Sequence, residues 1–236
     1  MDQNINLKDL LSNVALYADR GVFNVYRENL NIKKMASIVA TLDTAQYYME
    51  RALKLAWKPS TEELISHGAS EAKIEGLALE FGVAGGESIA KLHTALGQEI
   101  HGFDSFEGLP EDWRLDWRKG AFAQAPPLGL PDGVVLHAGL FADSLPAFIE
   151  AHAGPVRFLH VDCDLYSSTK TVFYQLADRI RPGTIILFDE YWNYIGWRHH
   201  EWKAFQEFVE RRRVDYSYLV AIAIGPQVLV RIEAIG

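Results

Sequence analysis

Short apolar runs alternate with amphipathic segments along the chain from Leu77 onward. The apolar runs have the length of buried strands, and the segments between them have the spacing of helices. Strands that alternate with helices predict an α/β fold with a parallel sheet and crossover helices. The strands are predicted at 77–81, 99–103, 134–137, 156–161 and 184–188, and the helices near 87–97, 143–152, 167–180 and 197–213.

The last two apolar runs, 216–222 and 227–232, are separated by a short segment that contains Gly225 and Pro226. Neighbouring strands joined by so short a turn must run antiparallel. The predicted sheet is therefore mostly parallel and ends in a C-terminal antiparallel hairpin.

The first 75 residues have a different pattern. Apolar residues recur at helical spacing in 7–19 and 32–55, and a further helix is predicted after Pro59, capped by Ser60 or Thr61. We therefore predict a helical N-terminal extension, 1–75, followed by an α/β domain, 76–236. The extension is interpreted as structural cover for the core, as a substrate lid, or as a surface for a homodimer or higher homo-oligomer.

Composition narrows the class of protein. The chain has 236 residues, of which 49% are hydrophobic and 23% charged, as in an ordinary globular domain. Its net charge of −8 argues against binding to duplex nucleic acid. No apolar run approaches the roughly 20 residues of a membrane span. A single cysteine, Cys163, and an amino terminus unlike a signal peptide lead us to expect a cytoplasmic protein.

The turn after the first predicted strand has the pattern of a nucleotide site. Glycines let the backbone approach a ligand closely, and the N-terminus of a helix follows them. The spacing Glu80-x-Gly82-x-Ala84-x-Gly86 resembles the first motif of class I methyltransferases, with Ala84 in place of the middle glycine. An acid here would repel a pyrophosphate but can pair with the amino group of S-adenosylmethionine. The predicted contacts are Glu80, Gly82, Ala84, Gly85, Gly86 and Ser88.

Acidic residues end four of the predicted strands: Glu80, Asp104, Asp162 and Asp189. Ligands of open α/β sheets bind at this edge of the sheet, outside the carboxyl ends of the strands. Asp104 follows the second strand and can accept both ribose hydroxyls of a nucleoside. The alternative is that Asp104 only caps the turn at 105–108.

Three acids at two neighbouring strand ends, Asp162, Asp189 and Glu190, predict a metal site. Carboxylates so close together repel one another unless they are protonated or bind a cation. Ligand sets made only of oxygen suit a hard ion such as Mg²⁺. Asp164 is a rival to Asp162 as a ligand. The alternative is that Asp162 and Asp164 cap the helix that follows them.

Three segments in the same order resemble the TylF-type (macrocin) O-methyltransferases, which belong to the class I S-adenosylmethionine-dependent methyltransferases. The segments are Phe103-Asp104-Ser105-Phe106-Glu107-Gly108-Leu109-Pro110, Val161-Asp162-Cys163-Asp164-Leu165-Tyr166 and the stretch from Pro182-Gly183 to Asp189-Glu190-Tyr191. The resemblance covers about residues 79–191. It implies a Rossmann-like methyltransferase sheet and transfer of a methyl group from S-adenosylmethionine to a hydroxyl, often of a sugar on a secondary metabolite.

The resemblance also implies a divalent metal, usually magnesium, and it places an Asp-Asp pair where this chain has Asp189-Glu190. Asp162, Asp189 and Glu190 are accordingly expected to be both the metal ligands and the catalytic residues. Asp162 is the first candidate to accept the hydroxyl proton, with His199 and His200 as alternatives. The further cofactor contacts expected are Ser105 and Phe106 beside Asp104, Gly139 and Phe141 at the adenine, and Asp162 itself.

The acceptor is expected to be a small hydroxylated molecule. Tyr191, Trp192, Tyr194 and Trp197 follow the acid pair and could form an aromatic wall for it, or else belong to the core or a dimer contact. A sugar or other polyhydroxylated secondary metabolite is the leading interpretation of the acceptor. A catechol-type or amine methyltransferase is the alternative, and a non-catalytic nucleoside-binding module is a third.

Overall fold

The computed structural model describes residues 31–114 and 116–236, so the helix predicted at 7–19 lies outside the described residues. The helices are α1 (Ile32–Arg51), α2 (Thr61–Glu71), α3 (Glu87–Leu96), α4 (Phe141–Ala151), α5 (Tyr166–Gln175) and α6 (Glu201–Arg212). The strands are β1 (Ala56–Lys58), β2 (Leu77–Phe81), β3 (Ile100–Asp104), β4 (Val134–Ala138), β5 (Val156–Val161), β6 (Ile185–Phe188), β7 (Val214–Ile222) and β8 (Val228–Ile235).

The described strands form a single sheet in the order β1-β7-β8-β6-β5-β2-β3-β4. The pairs β6–β8 and β7–β8 are antiparallel, and all the other pairs are parallel. This arrangement confirms the predicted α/β fold, with a mostly parallel sheet and a C-terminal hairpin. Strands β2 and β5 have the predicted bounds, and the other predicted strands are found with shifts of a few residues at their ends.

Strand β1 was not predicted. Its three residues pair in parallel with β7, from Ala56 opposite Val220 to Lys58 opposite Ile222. A strand this short has no periodicity that could reveal it in the sequence. The segment before Leu77 therefore contributes the edge strand of the sheet as well as helices. Helix α2 begins as predicted, since the Ser60 side chain accepts from the amide of Glu63.

The sheet lies between two helical layers. Helices α2 and α3 cover one face, where Leu64, Ile89 and Leu92 are fully buried against strand residues such as Phe158 and Leu187. The second face carries the larger, aromatic-rich core, which includes Tyr47 from α1, Leu145 from α4, Val172 from α5 and Phe205 from α6. Burial on both faces explains why the central strands read as continuous apolar runs.

The helix predicted at 197–213 is interrupted. A short 3₁₀ turn, Trp197–His199, precedes α6, and His200 separates them with φ −115° and ψ −125°. The 3₁₀ turn itself follows Gly196, whose φ of 86° lies in the left-handed region. The apolar periodicity continues through this break, so the sequence pattern could not show it.

Four parallel strands bring their carboxyl ends to one edge of the sheet. One further backbone bond extends the ladder beyond each of three strands, from Gly82 to Phe103, from Asp162 to Phe81 and from Asp189 to Val161. The bonds measure 2.9 Å. The residues directly after β2, β5 and β6 are thereby held side by side, which is where the chemistry was expected.

Candidate active site

A cavity of about 420 Å³ opens at the carboxyl edge of the sheet. Its walls come from the loops that follow β2, β3, β4, β5 and β6. The lining residues include Gly82, Ala84, Asp104, Ser105, Trp113, Arg114, Trp117, Phe122, Gly139, Leu140, Phe141, Asp162, Asp164, Asp189 and Glu190. Nine of the fourteen predicted site residues are in this set, so the topology brings most of the predicted site together.

The glycine turn after β2 is shaped by the strand beside it. Gly82 has φ 91°, and a Cβ at this position would lie 1.7 Å from the carbonyl oxygen of Asp162. Only glycine fits so close an approach. Ala84 has φ 45°, a left-handed conformation that a non-glycine residue adopts at some cost. The turn and the start of the loop after β5 are therefore in direct contact.

Asp104 holds the glycine turn through its carboxylate. Its Oδ2 accepts from the amides of Val83, at 2.8 Å, and Ala84, at 2.9 Å. Its Oδ1 accepts from the amide of Phe106 at 2.8 Å. The same side chain lines the cavity. Asp104 therefore caps the turn, as the alternative to ribose binding predicted. Its side chain also borders the cavity, so the capping role does not exclude contact with a ligand.

Glu80 does not line the cavity, in contrast to the expectation of direct contact with the cofactor amino group. Its side chain is fully buried. One carboxylate oxygen accepts from the Ser88 hydroxyl at 2.8 Å, and the other lies 3.0 Å from Nδ1 of His160. Glu80 is paired with His160 across two strands, which places it inside the sheet. Four predicted contacts are therefore absent from the cavity lining: Glu80, Gly85, Gly86 and Ser88.

Phe106 lies outside the lining as well, and packs instead against the smaller core. Its φ of 56° turns the chain after Asp104. The remaining contacts beside Asp104 and after β4, which are Ser105, Gly139 and Phe141, face the cavity. Phe141 also packs edge-on against Phe81, with ring centroids 5.1 Å apart.

Acidic groups crowd one end of the cavity. Ligand atoms of His160, Asp162 and Asp189 lie within 4.8 Å of one another, a spacing that could hold a metal ion. Asp164 and Glu190 line the same cavity. Burial, and then the carboxylate of Asp189, raise the pKa of Asp162 well above its ordinary value.

The pKa values of Asp164 and Glu190 are also raised. Burial and Asp189 raise the pKa of Asp164 to about 7. Burial raises the pKa of Glu190 to about 8, although Arg114, with Nη2 3.9 Å from the Glu190 carboxylate, acts against the rise. Mutual repulsion of this kind is what a bound divalent cation relieves, so the donor set fits such an ion.

Residues 79–191 match a protein family described as "Methyltransferase domain". The match covers a little under half of the chain and makes these residues similar to a methyltransferase domain. A curated relative from Streptomyces olivaceus, named 8-demethyl-8-(2,3-dimethoxy-alpha-L-rhamnosyl)-tetracenomycin-C 4'-O-methyltransferase, is 30% identical over 145 residues. That match covers 50% of this chain and 54% of the relative, so the chain spans about half the length of the curated protein.

Two solved structures share the fold. The calicheamicin methyltransferase CalS11 is 17% identical with a TM-score of 0.56, over 98% of this chain and 87% of its own. The O-methyltransferase NovP is 19% identical with a TM-score of 0.57, over 73% of this chain and 79% of its own. At these identities the likeness shows a shared fold.

The aromatic wall of the cavity differs from the predicted one. Trp192 and Trp197 are each 1% exposed and belong to the core, so the prediction that they face the acceptor is wrong. Trp192 stacks near Tyr218, and Trp197 meets Tyr47 of α1 edge-on at 5.5 Å. The loop after β6 folds inward under α1 because α1 offers an apolar face to cover it.

Aromatic side chains from the long connection between β3 and β4 line the cavity instead. Trp117 and Phe122 stack with centroids 4.4 Å apart and planes 23° from parallel, and the Arg114 guanidinium lies 3.9 Å from the Trp113 ring centroid. None of these residues was predicted to belong to the site. The available signal was three aromatic residues within 113–122, shortly after the segment that resembles a known family.

The histidines considered as proton acceptors lie outside the cavity lining. His199 is exposed, and His200 stacks on Tyr194 with centroids 6.1 Å apart. Burial lowers the pKa of His200 to about 4.

None of the helices formed by residues 31–114 and 116–236 has the length and apolar character that a membrane span requires.

Proposed function

We propose that this protein transfers the methyl group of S-adenosylmethionine to a hydroxyl of a sugar, or of another polyhydroxylated secondary metabolite, and that it uses a divalent cation, Mg²⁺. One observation carries the proposal. A single cavity joins the glycine turn, the Asp104 carboxylate and a cluster of strand-end acids. The printed name of the Streptomyces olivaceus relative, a 4'-O-methyltransferase of a rhamnosyl tetracenomycin, supports a sugar hydroxyl as the acceptor.

The cofactor is proposed to lie along the carboxyl edge of β2, β3 and β4. Its methionine end would contact the turn at Gly82 and Ala84, its ribose would bond to Asp104, and its adenine would lie between Gly139 and Phe141. Asp162 borders both this turn and the acid cluster. The methyl group would then face the acidic end of the cavity.

The cation is proposed to bind Asp162, Asp189 and Glu190. Bound there, it would lower the pKa of a substrate hydroxyl and orient that hydroxyl. His160 lies within the same group of ligand atoms. Its Nδ1 is already bonded to Glu80, and its side chain is only 1% exposed. We therefore propose that His160 supports the acids from inside the sheet and is not itself a ligand of the cation.

A carboxylate in the cavity is proposed to accept the hydroxyl proton. Asp162 is the first candidate, and Asp164 is its rival because it lines the same wall. A proton acceptor must reach the hydroxyl within hydrogen-bond distance in the bound complex. Asp164→Asn decides between them, because Asp164 is not one of the proposed cation ligands: it should lower kcat with unchanged cation affinity if Asp164 accepts the proton, and should leave kcat unchanged if Asp162 does.

The acceptor is proposed to be a neutral ring that packs on the aromatic wall. Trp117 and Phe122 offer a stacked apolar surface, and aromatic faces pack well against the C–H groups of sugars. Trp113 adds an indole N–H that has no hydrogen-bond partner among the described residues. The crowded carboxylates disfavour an anionic acceptor.

The acceptor proposal is tested with Trp117→Ala. Loss of the stacked pair should raise the acceptor KM roughly three- to tenfold, with little change in cofactor affinity, as expected for about 0.5–1.5 kcal/mol of aromatic contact. Trp57→Ala is the matched control, because Trp57 is 44% exposed on β1 at the other edge of the sheet. An unchanged KM for Trp117→Ala would argue against the wall.

The reaction itself is tested by mass spectrometry of acceptor panels incubated with S-adenosylmethionine. Neutral deoxyhexosides on an aromatic aglycone should gain one methyl group on oxygen. Faster methylation of simple catechols or amines would favour the alternative acceptor class. Binding of the cofactor without methylation of any acceptor would instead favour a nucleoside-binding module.

A further inference from the structure

Glu201 is a fully buried carboxylate next to the candidate active site, and nothing in the reaction proposed above uses it. It is the first residue of α6, directly after the break at His200. Burying an ionisable group is costly unless hydrogen bonds compensate for the lost water. The contacts of Glu201 should therefore explain why it is there.

The contacts join two loops of the site. Oε1 of Glu201 accepts from the amides of Cys163, at 3.3 Å, and Asp164, at 3.2 Å. Oε2 accepts from the amide of Glu190 at 3.1 Å. One carboxylate thus bridges the backbone after β5 and the backbone after β6. The N-terminus of α6 favours a negative charge at this position.

The two loops need such a bridge because the sheet no longer holds them. The pairing of β5 with β6 ends at Val161 and Phe188, and the last ladder bond runs from the amide of Asp189 to Val161. Beyond it the chain turns sharply, and Asp164 has a left-handed φ of 59°. The three bonds to Glu201 fix the backbone at the point where the acid side chains leave it.

We propose that Glu201 is a positioning residue, which sets the separation of the acids after β5 from the acids after β6 and so shapes the cation site. This inference rests on the proposed function, because the cation is part of it. A purely structural Glu201 would stabilise the start of α6 without affecting cation affinity. The two roles therefore predict different measurements.

The test measures Mn²⁺ affinity by electron paramagnetic resonance in the full chain, together with S-adenosylmethionine affinity by calorimetry. Glu201→Gln keeps the size of the side chain but turns an amide N–H₂ toward one of the backbone donors. Glu201→Asp keeps the charge but is one methylene too short to bridge both loops. Both variants should lose roughly 10- to 100-fold in Mn²⁺ affinity, as groups that orient metal ligands do, with cofactor affinity within about twofold.

Phe208→Leu is the control for stability. Phe208 lies on the same helix and packs on Phe173, with ring centroids 5.0 Å apart, in the core. The control should unfold more easily while Mn²⁺ affinity stays close to that of the wild type. Comparison of Glu201→Asp with Glu201→Gln separates position from charge, because a charge effect alone would leave Glu201→Asp unimpaired.

Wild-type Mn²⁺ affinity in both Glu201→Gln and Glu201→Asp would overturn the inference and leave the proposed function intact. Loss of affinity in Glu201→Gln alone would overturn positioning in favour of charge. A wild-type protein that binds no Mn²⁺ would overturn the cation in the proposed function and this inference with it. Should Glu201→Gln fail to fold, Glu201→Asp still decides, since it keeps a carboxylate in the buried site.

Discussion

At the residue scale, two carboxylates of this site accept hydrogen bonds from the backbone of the loops around the cavity. Asp104 accepts three amide hydrogen bonds, and Glu201 accepts three more. Charge-assisted bonds of this kind are stronger than neutral ones and hold tight turns in a defined shape. Asp104 and Glu201 therefore stabilise the turns that form the cavity.

Replacement of Asp104 tests the cofactor site. Asp104→Ala should weaken binding of S-adenosylmethionine by about 1.5–3 kcal/mol, because it removes hydrogen bonds to a charged group. Calorimetry on the folded variant measures the change. Asp104→Asn, which keeps one acceptor oxygen for the turn, should lose less. Unchanged affinity in Asp104→Ala would mean that Asp104 only caps the turn.

The positions of single residues could be predicted from the sequence where strand pairing alone determines them. Asp104, Asp162 and Asp189 were expected at strand ends, and all three line one cavity, because parallel strands end at a common edge. The position of Glu80 could not be predicted in this way. Its burial depends on His160, a partner 80 residues away in the sequence.

At the element scale, α1 supports the loop that follows the acid pair. Thr44 accepts from the amide of Asn193 at 2.9 Å, and Arg198 makes two bonds to Asp43 at 2.8 and 2.9 Å. The Tyr47 hydroxyl bonds to the Tyr218 hydroxyl at 2.7 Å inside the core. Helix α1 is therefore packed against the loop after β6 and against β7 through both buried and partly exposed contacts.

Two substitutions rank these contacts. Tyr47→Phe should lower the free energy of unfolding by about 1 kcal/mol, because it removes one buried hydrogen bond and leaves the Tyr218 hydroxyl with fewer partners. Asp43→Ala should cost less than about 1 kcal/mol, since its ion pair with Arg198 is partly exposed to solvent. Urea denaturation measures both. A larger loss of unfolding free energy in Asp43→Ala than in Tyr47→Phe would show that the exposed ion pair, and not the buried hydrogen bond, contributes more to the packing of α1.

The elements themselves were predictable to different degrees. Strands β2 and β5 were found at their predicted bounds because buried parallel strands are continuous apolar runs between turn residues. Strand β1 was missed because three residues carry no pattern. The aromatic wall was assigned to the wrong loop because Trp192 and Trp197 are as apolar in the sequence as Trp113 and Trp117. Only tertiary packing distinguishes them, since Trp197 packs on Tyr47 of α1 and Trp192 on Tyr218 of β7.

At the scale of the whole molecule, the sheet order creates the site. Strands β5 and β2 are neighbours, although 74 residues lie between the end of β2 and the start of β5, and β6 and β3 flank them. This order places the glycine turn beside the acids that follow β5 and β6. The cluster concentrates acids at one point of a chain whose net charge is −8, so a cation at this point would relieve repulsion within the fold.

Cation dependence is therefore the property that most directly tests this account of the protein. The measurement is methyl transfer to a neutral deoxyhexoside after treatment with excess chelator, then after addition of Mg²⁺, for the wild type and for Asp189→Asn. The account predicts that chelator abolishes transfer by the wild type, that Mg²⁺ restores it, and that Asp189→Asn stays inactive although its affinity for S-adenosylmethionine is unchanged. Full transfer by the wild type in excess chelator, or by Asp189→Asn, would contradict the account.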